Sequence, residues 1–165
     1  MKNLVLIGLP GCGKTTIGGR LSAELGLAFM DCDAEIEKRT GKNIPEIFSR
    51  EGEESFRKLE SEVLLTLLNT PGKVVSTGGG IVLKKENREV LRRATVVFLD
   101  REPTNIMSTC DMAGRPLMET CVLAELAAQR RQLYLDCADH VVTAENLDEI
   151  TAEIVGYWRE GTCVF

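Results

Sequence analysis

The chain has 165 residues, of which 44% are hydrophobic and 27% are charged, and its formal net charge is −5. This length predicts one domain over residues 1–165, because a domain typically takes ~100–200 residues. The composition excludes a disordered chain, and no apolar run reaches the ~18 residues of a membrane-spanning helix. The acidic balance gives no general positive field for a nucleic-acid backbone, so an anionic ligand must be held by a local cluster.

The amino-terminal segment and the cysteines bear on where the protein acts. The apolar run from Leu4 to Leu9 is too short for the core of a signal peptide, which predicts a cytoplasmic protein. Six cysteines are scattered without a C-x-x-C pair, and the only histidine is His140, so the sequence indicates neither a zinc site nor a disulfide framework. We expect reduced cysteines and a monomer.

Short β-type apolar runs alternate with longer helical patterns, which is typical of an α/β fold with a parallel sheet. A polar stretch with little periodicity at 108–116 predicts a mobile loop. In chain order the pattern predicts a strand at 3–7, a helix at 14–25, a strand at 27–30, helices at 33–39, 44–50 and 53–68, a strand at 73–76, a helix at 87–93, a strand at 95–99, a helix at 121–134, a strand at 140–142 and a helix at 147–158.

The segment after the first predicted strand reads Gly-Leu-Pro-Gly-Cys-Gly-Lys-Thr and fits the pattern G-x-x-x-x-G-K-[ST]. Its glycines let backbone N–H groups turn toward one anion, and the following helix adds its partial positive charge. Lys14 can reach the β- and γ-phosphates, and the Thr15 hydroxyl can ligate Mg²⁺. The match at a strand–loop–helix junction predicts a nucleotide-binding phosphate loop, against the alternative of a chance glycine turn.

Two carboxylates, Asp31 and Asp33, stand at the end of the second predicted strand. A spacing of two puts both side chains on one side of a strand, and ligands of open α/β sheets bind beyond the carboxyl ends of the strands. We therefore expect both carboxylates near the phosphate loop. The alternative for Asp33 is a helix N-cap, a position that aspartate favours.

Three arginines and a glycine run supply further candidates. Arg57 lies on a predicted amphipathic helix, and Arg115 and Arg130 follow later in the chain. Arginine binds phosphate and carboxylate through two parallel hydrogen bonds, although each of the three taken alone could be a surface charge. The glycines at 78–80 follow Thr77 and suit a backbone that approaches a ligand closely, with a flexible turn as the alternative.

Taken together, the motifs form a longer pattern. In chain order they are GLPGCGKTT, DCDAEIEKRTGKNIPEIF, GEESFRKLE, STGGGIV, RPLM and RRQLY. This pattern resembles the shikimate kinases over nearly the whole chain. The resemblance implies a three-layer P-loop kinase fold of the α/β class, with a five-stranded parallel sheet in the order 2-3-1-4-5, a substrate-binding region at about 31–62 and a mobile lid at about 108–118. It also implies phosphorylation of the shikimate 3-hydroxyl by ATP with Mg²⁺.

The resemblance also assigns roles to individual residues. Asp33 would bind the shikimate hydroxyls beside the one that attacks, and Arg115 would meet the transferring phosphate. Arg57 and Arg130 would bind the shikimate carboxylate, and Arg130 is preferred to Arg131 because it begins the segment that matches R-x-P-L-Y. The residues so implied are, for catalysis, Lys14, Asp33 and Arg115; for ATP, Gly11, Cys12, Gly13, Lys14, Thr15 and Thr16; for shikimate, Asp33, Arg57, Gly78, Gly79, Gly80 and Arg130; and for Mg²⁺, Thr15 and Asp31.

The chain departs from the family pattern at three places. Gln132 replaces a proline, and Met118 replaces a leucine. An arginine that commonly covers the adenine ring would stand near Ser108, and residues 107–110 of this chain contain none. Its absence predicts weaker ATP binding and weaker purine discrimination, with the alternative that a residue such as Arg101 covers the base from another direction.

Two other functions stay open at this point. A kinase of another polyol acid, such as gluconate, would share the phosphate loop but need not combine D-x-D, F-R-x-x-E and T-G-G-G. A kinase-like module that binds nucleotide or a partner without turnover is favoured only by the unusual lid segment. Within the phosphate loop, Cys12 is either an alkylation-sensitive thiol or a small packing residue.

Overall fold

The computed structural model describes residues 2–109 and 120–162. Five strands form one sheet in the order β2-β3-β1-β4-β5, and all neighbouring strands run parallel. This confirms the predicted α/β class and the predicted strand order. The strands are β1 (Leu4–Ile7), β2 (Ala28–Asp31), β3 (Lys73–Ser76), β4 (Thr95–Leu99) and β5 (His140–Val142).

Helices cover both faces of this sheet. Those in the described residues are α1 (Lys14–Leu25), α2 (Cys32–Thr40), α3 (Ile44–Leu68), α4 (Lys85–Leu91), α5 (Pro103–Thr109), α6 (Thr120–Cys137) and α7 (Leu147–Thr162). Because parallel strands are joined by right-handed crossovers, α1 and α7 share one face, where they contact each other, and α3, α4 and α6 share the other. Over the described ranges no helix has both the length and the apolar character to cross a membrane.

The core lies between these layers and includes the central strand. All residues of β1, Leu4–Ile7, are completely buried, as expected for a parallel sheet that helices cover on both faces. Helix α1 buries Ile17 and Leu21, which are one turn apart, on its inner face. On the opposite face the rings of Phe98 and Tyr134 are 4.9 Å apart. The carboxyl ends of the strands are thereby held on a rigid layer.

Several boundaries differ from the predictions for local reasons. Asn3 precedes β1 instead of beginning it. Its side chain donates to the carbonyl oxygen of Thr70 and accepts from the backbone N–H of Lys73, both at 3.0 Å. These two bonds fix the turn before β3. The sequence pattern did not predict α5, which includes Ser108 and so replaces the start of the predicted loop. Helix α4 lies two residues earlier than predicted, and α6 and α7 end later. The rest of the predicted lid falls outside the described residues.

Helix α3 is bent at Gly52, where φ is 82° and ψ is 169°. The two halves correspond to the predicted helices at 44–50 and 53–68. The bend brings the rings of Phe48 and Phe56, eight residues apart in the chain, to a centroid distance of 4.6 Å. Both halves then contribute to one wall of a large cavity, through Ile44 and Pro45 from the first half and Phe56 from the second.

Candidate active site

A cavity of about 1070 Å³ lies at the carboxyl ends of the strands, where open α/β sheets bind their ligands. Each strand delivers a segment to it: the phosphate loop follows β1, Asp31 ends β2, Thr77 follows β3, Arg101 follows β4 and Glu145 follows β5. The cavity collects most of the predicted site residues, namely Gly11, Gly13, Lys14, Thr15, Thr16, Asp31, Asp33, Arg57, Gly78, Gly79, Gly80 and Arg130.

The phosphate loop turns sharply between β1 and α1. At Gly8, φ is 148° and an added Cβ would lie 2.8 Å from the carbonyl oxygen of Leu99, so a side chain does not fit. Gly13, with φ of 99°, is the N-cap of α1. The buried ammonium group of Lys14 donates to the carbonyl oxygens of Gly8 and Leu9, each at 2.8 Å. The loop thus places a cation and the amino end of a helix at the cavity wall, which suits an anion.

Cys12 differs from the rest of the predicted ATP-binding loop because its side chain does not line the cavity. It is completely buried, with Sγ 3.6 Å from Nζ of Lys14. Its carbonyl oxygen accepts a hydrogen bond of 3.3 Å from Nη1 of Arg101. Burial favours the packing role over the alkylation-sensitive thiol, since reactive cysteines are partly exposed.

Oxygen atoms that suit Mg²⁺ lie beside the loop. The hydroxyl of Thr15 donates to Oδ2 of Asp31 at 2.8 Å, and the hydroxyl oxygen of Ser76 is 3.5 Å away from that of Thr15. No cluster of three or more His, Cys, Asp or Glu residues able to hold a metal occurs in the parts of the chain that the structure describes. Mg²⁺ commonly binds one or two carboxylates and takes further ligands from water and substrate phosphates. The oxygen set therefore fits a Mg²⁺ ion shared with a nucleotide.

The two aspartates reach the cavity by a different route from the one predicted. Strand β2 ends at Asp31, which is the N-cap of α2, and its Oδ1 accepts from the backbone N–H of Ala34 at 3.1 Å. Asp33 lies in the first turn of that helix. The strand-alternation argument and the capping alternative for Asp33 are therefore both wrong, because the strand gives way to a helix between the two residues. Both side chains still line the cavity.

Arg57 is held at the cavity by two glutamates from its own helix. Its Nη1 is 2.8 Å from Oε2 of Glu60, and its Nε is 3.4 Å from Oε1 of Glu53. The Arg57 side chain is 14% exposed and that of Glu60 is completely buried, so Arg57 is not the solvated surface charge of the alternative interpretation. Burial raises the pKa of Glu60, and the charge and hydrogen bond of Arg57 oppose that rise.

The three glycines after Thr77 are packed against other site residues. A Cβ on Gly78 would lie 2.7 Å from Oε1 of Glu60, one on Gly79 would lie 2.7 Å from Cδ of Pro10, and one on Gly80 would lie 2.3 Å from Nη1 of Arg57. Such distances exclude any side chain without a shift of the neighbours. The glycines therefore serve close packing in the site, which is incompatible with the alternative of a flexible turn.

Helix α6 separates the two adjacent arginines. Arg130 lines the cavity, whereas Arg131 is bound to Asp100 through a contact of 2.7 Å from Nη2 to Oδ2 and is 55% exposed. One turn further on, the hydroxyl of Tyr134 donates to the carbonyl oxygen of Gly79 at 2.5 Å. The choice of Arg130 over Arg131 thus agrees with the side of the helix that faces the cavity.

The sequence analysis assigned no role to Glu60, which lines the cavity, or to Tyr134, which packs behind it. Glu60 could have been found, because it stands three positions after Arg57, a spacing that brings two side chains of a helix together. The bond of Tyr134 to Gly79 spans 55 positions in the chain and has no local signal. Arg115, the predicted lid arginine, lies outside the described residues.

Both the sequence and the fold of the chain are similar to those of known proteins. A family model described as shikimate kinase matches residues 10–158. The chain is 44% identical over 151 residues to a shikimate kinase from Pseudomonas syringae pv. tomato, and the alignment covers 88% of each chain. A solved structure of shikimate kinase from Acinetobacter baumannii in complex with shikimate superposes with a TM-score of 0.90 at 33% identity, covering 99% of this chain and 96% of the other.

A more distant likeness shows the fold alone. A gluconokinase from Sinorhizobium meliloti superposes with a TM-score of 0.56 at 18% identity, covering 92% of this chain and 88% of the other. The family model, by contrast, matches residues 10–158, from the phosphate loop to the last helix. Together with the 44% identity to a relative over 88% of the chain, this match shows that the chain belongs to the shikimate kinase family.

Proposed function

We propose that the protein transfers the γ-phosphoryl group of ATP to the 3-hydroxyl group of shikimate, giving shikimate 3-phosphate and ADP. The observation that carries the proposal is one cavity lined by the phosphate loop, by Asp33 and by two arginines, Arg57 and Arg130. A phosphate site, a carboxylate for a hydroxyl group and two guanidinium groups for a carboxylate describe a kinase for a hydroxy acid. Family membership selects shikimate among the hydroxy acids.

Phosphoryl transfer requires mainly that the reacting groups are positioned and that the phosphate charge is neutralised. Asp33 accepts the hydrogen bond, and then the proton, of the attacking hydroxyl group. A bond forms between that oxygen and the γ-phosphorus while the bond to the β–γ bridging oxygen breaks, and ADP leaves with those electrons. Lys14 exchanges its two carbonyl acceptors, Gly8 and Leu9, for phosphate oxygens. Arg115 in the lid is proposed to meet the transferring phosphate.

Mg²⁺ is part of the proposal because the oxygens beside the loop fit it. Thr15 and Asp31, whose side chains are 2.8 Å apart, would hold the ion. When bound, Mg²⁺ neutralises charge on the β- and γ-phosphates. Asp31 also caps α2, so the same residue links the metal side of the site to the helix that carries Asp33.

The acceptor is proposed to be held by its carboxylate. In the described part of the chain, Arg57 and Arg130 are arginines on the side of the cavity that also carries Asp33 and Gly78–Gly80, here called the acceptor side. Each can form a pair of parallel hydrogen bonds with a carboxylate. Glu60 keeps the guanidinium of Arg57 in place through its 2.8 Å contact. The backbone at Gly78–Gly80 packs directly against Glu60, Pro10 and Arg57 and so borders the space next to these groups.

A coupled assay with ATP and Mg²⁺ tests shikimate against gluconate in one series. We expect turnover with shikimate and only background with gluconate. Lys14→Ala is the inactive control, because it removes the cation of the phosphate loop while circular dichroism reports an intact fold. Turnover with gluconate alone would identify a kinase of another polyol acid, and nucleotide binding without turnover of either acid would identify a binding module.

The proposal includes two sequence-based predictions, a monomeric state and a cytoplasmic location. The net charge of −5 favours small-molecule partners over nucleic acid. Light scattering of the purified protein tests the first prediction, and the expected mass is that of one chain, 18.2 kDa.

A further inference from the structure

Each guanidinium nitrogen of the buried Arg101 is bonded to another part of the protein. The residue is 5% exposed. Its Nε donates to Oε2 of Glu145 at 2.9 Å, its Nη1 to the carbonyl oxygen of Cys12 at 3.3 Å, and its Nη2 to the hydroxyl of Thr109 at 3.2 Å. All three nitrogens are thus engaged, which favours a role through these partners over the alternative of contact with a base.

The bond to Cys12 sets the direction of a peptide group in the phosphate loop. The carbonyl of Cys12 and the N–H of Gly13 belong to one planar trans peptide, in which they point in opposite directions. Because the carbonyl faces Arg101, the N–H of Gly13 faces away from it. Gly13 lines the cavity and is the N-cap of α1, so this N–H has no partner within the helix. The bond therefore leaves a loop N–H available to an anion.

The same peptide is easily turned when nothing holds it. Gly13 has a φ of 99°, and glycine adopts positive and negative φ about equally well. Rotation of the Cys12–Gly13 peptide by half a turn would direct the carbonyl oxygen of Cys12, instead of the N–H of Gly13, toward a bound anion. An attraction would then become a repulsion. A fixed donor to the carbonyl oxygen opposes this rotation, and fixed donors are what binding of phosphate charge requires.

Charge alone does not account for Arg101. Its guanidinium is paired with the carboxylate of Glu145 at 2.9 Å. Burial raises the pKa of Glu145, but hydrogen bonds from Asn105 and Arg101 lower it more, so that the pKa lies below its usual value and the group stays ionised at neutral pH. The pair therefore has no net charge, and what it offers the loop is a hydrogen-bond donor held in one place.

We propose that Arg101 is a positioning residue of the phosphate loop, which keeps the N–H of Gly13 directed at the phosphates of the nucleotide by holding the carbonyl oxygen of Cys12. The inference rests on the proposed function, in which this loop binds the phosphates of ATP. Glu145 and Thr109 contribute by holding the guanidinium in place. In this assignment Arg101 acts on the substrate only through the loop.

Calorimetry tests the proposal with Mg²⁺ complexes of ADP and of inorganic tripolyphosphate, which has phosphates and no base. Arg101→Met removes the donor to Cys12. Glu145→Ala removes the carboxylate that holds Arg101, at a side chain that is 38% exposed, and leaves the cavity more positive. Arg39→Met and Glu35→Ala are the matched controls, because this pair of arginine and glutamate lies on α2 outside the cavity.

We expect Arg101→Met to raise the dissociation constants of ADP and tripolyphosphate by the same factor, about 10- to 150-fold, which corresponds to one hydrogen bond to a charged group. Glu145→Ala should raise both by about two- to tenfold in spite of the added positive charge. The two controls should bind both ligands like the wild type. In steady-state kinetics we expect a higher KM for ATP in both Arg101→Met and Glu145→Ala, with the KM for shikimate unchanged.

A second measurement observes the peptide itself. In nuclear magnetic resonance spectra, saturating tripolyphosphate should move the amide proton signal of Gly13 downfield in the wild type, because a hydrogen bond to phosphate forms. The shift should be much smaller in Arg101→Met at saturation. An equal shift in both proteins would show that Arg101 does not direct this N–H, and the proposal would fail.

The binding data can also contradict the proposal in three ways. Tighter tripolyphosphate binding by Glu145→Ala would show that Arg101 acts through its charge. A loss confined to ADP would show that Arg101 serves the nucleoside, and unchanged binding in both variants would show that it serves neither. Wild-type protein that binds neither ligand would instead contradict the proposed function. If Arg101→Met fails to fold, the direction of the change in Glu145→Ala decides.

Discussion

The hydroxyl of Tyr134 donates a hydrogen bond of 2.5 Å to the carbonyl oxygen of Gly79 and so joins α6 to the glycine loop after β3. Tyr134 is completely buried. Burial raises its pKa far above the usual range, against the lowering effect of Arg130, so the hydroxyl keeps its proton as a donor. Because Arg130 lies on the same helix one turn earlier, Tyr134 fixes two parts of the acceptor side relative to each other.

Tyr134→Phe removes this bond and leaves the carbonyl oxygen of Gly79 without its donor. We expect the free energy of unfolding to fall by about 0.5–1.5 kcal/mol, and the KM for shikimate to rise more than the KM for ATP. Denaturant unfolding and steady-state kinetics measure the two effects. Tyr157→Phe is the control, since its hydroxyl makes a weaker 3.4 Å contact with Asp139 on the surface. An unchanged shikimate KM in Tyr134→Phe would limit Tyr134 to a stabilising role.

The two aspartates should differ in their effect on stability, because Asp31 caps α2 as well as serving the proposed Mg²⁺ site, whereas Asp33 caps no helix. Asp31→Ala removes the N-cap of α2 and is expected to cost about 0.5–2 kcal/mol of stability. Asp33→Asn keeps the shape of the side chain but removes the charge that accepts the proton, so kcat should fall strongly with little change in Tm. Thermal unfolding and kcat are measured for both variants. A large drop in Tm for Asp33→Asn with normal kcat would contradict the proposed role of Asp33.

Arg130 and Arg131 form a matched pair for testing carboxylate binding. A charge-assisted hydrogen bond is worth about 1.5–3 kcal/mol, so Arg130→Ala should raise the KM for shikimate about 10- to 150-fold and leave the KM for ATP nearly unchanged. Arg131→Ala removes an exposed ion pair with Asp100, worth about 0–1 kcal/mol of stability, and should leave both KM values unchanged. A raised KM for shikimate in Arg131→Ala, with an unchanged KM in Arg130→Ala, would show that Arg131 and not Arg130 binds the carboxylate.

Glu60 makes the stability of the protein depend on pH. Burial raises its pKa in the folded state, so between the unfolded value of about 4.3 and the raised value the folded state keeps a proton that the unfolded state has lost. The free energy of unfolding of the wild type therefore falls as pH rises through this interval, relative to Glu60→Gln, by at most about 1.4 kcal/mol per pH unit. Unfolding curves of both proteins at several pH values test the sign. If the free energy of unfolding of the wild type instead rises with pH relative to Glu60→Gln, then Arg57 lowers the pKa of Glu60 more than burial raises it.

The fold could be predicted because its signals are local. A phosphate-loop pattern at a strand–helix junction and five apolar runs with the spacing of β-α units predicted the strands and their parallel arrangement, whereas the strand order was predicted from the resemblance to a known family. Local signals also misled, since the D-x-D segment was treated as strand although Asp31 ends the strand and caps the next helix. The helix that begins at Pro103 was missed because its seven residues carry too little periodicity to stand out.

Some site residues could likewise be predicted from local motifs, whereas others could not. Arg57 and Arg130 were identified from motifs, and both line the cavity. The partners that hold side chains in place are less visible in the sequence: Arg101 and Glu145 are 44 positions apart, and Tyr134 and Gly79 are 55 apart. Such pairs arise only when the sheet brings different strand ends together, so one sequence does not reveal them.

The bend at Gly52 has a consequence for how the acceptor side could change. Its φ of 82° and ψ of 169° fall in a region that is essentially restricted to glycine, although open space surrounds the residue. A side chain there would clash with nothing, yet it would favour a straighter α3 and move Phe48 away from Phe56. The direction in which Ile44 and Pro45 approach the cavity therefore depends on the backbone conformation of Gly52, a residue that does not itself line the cavity.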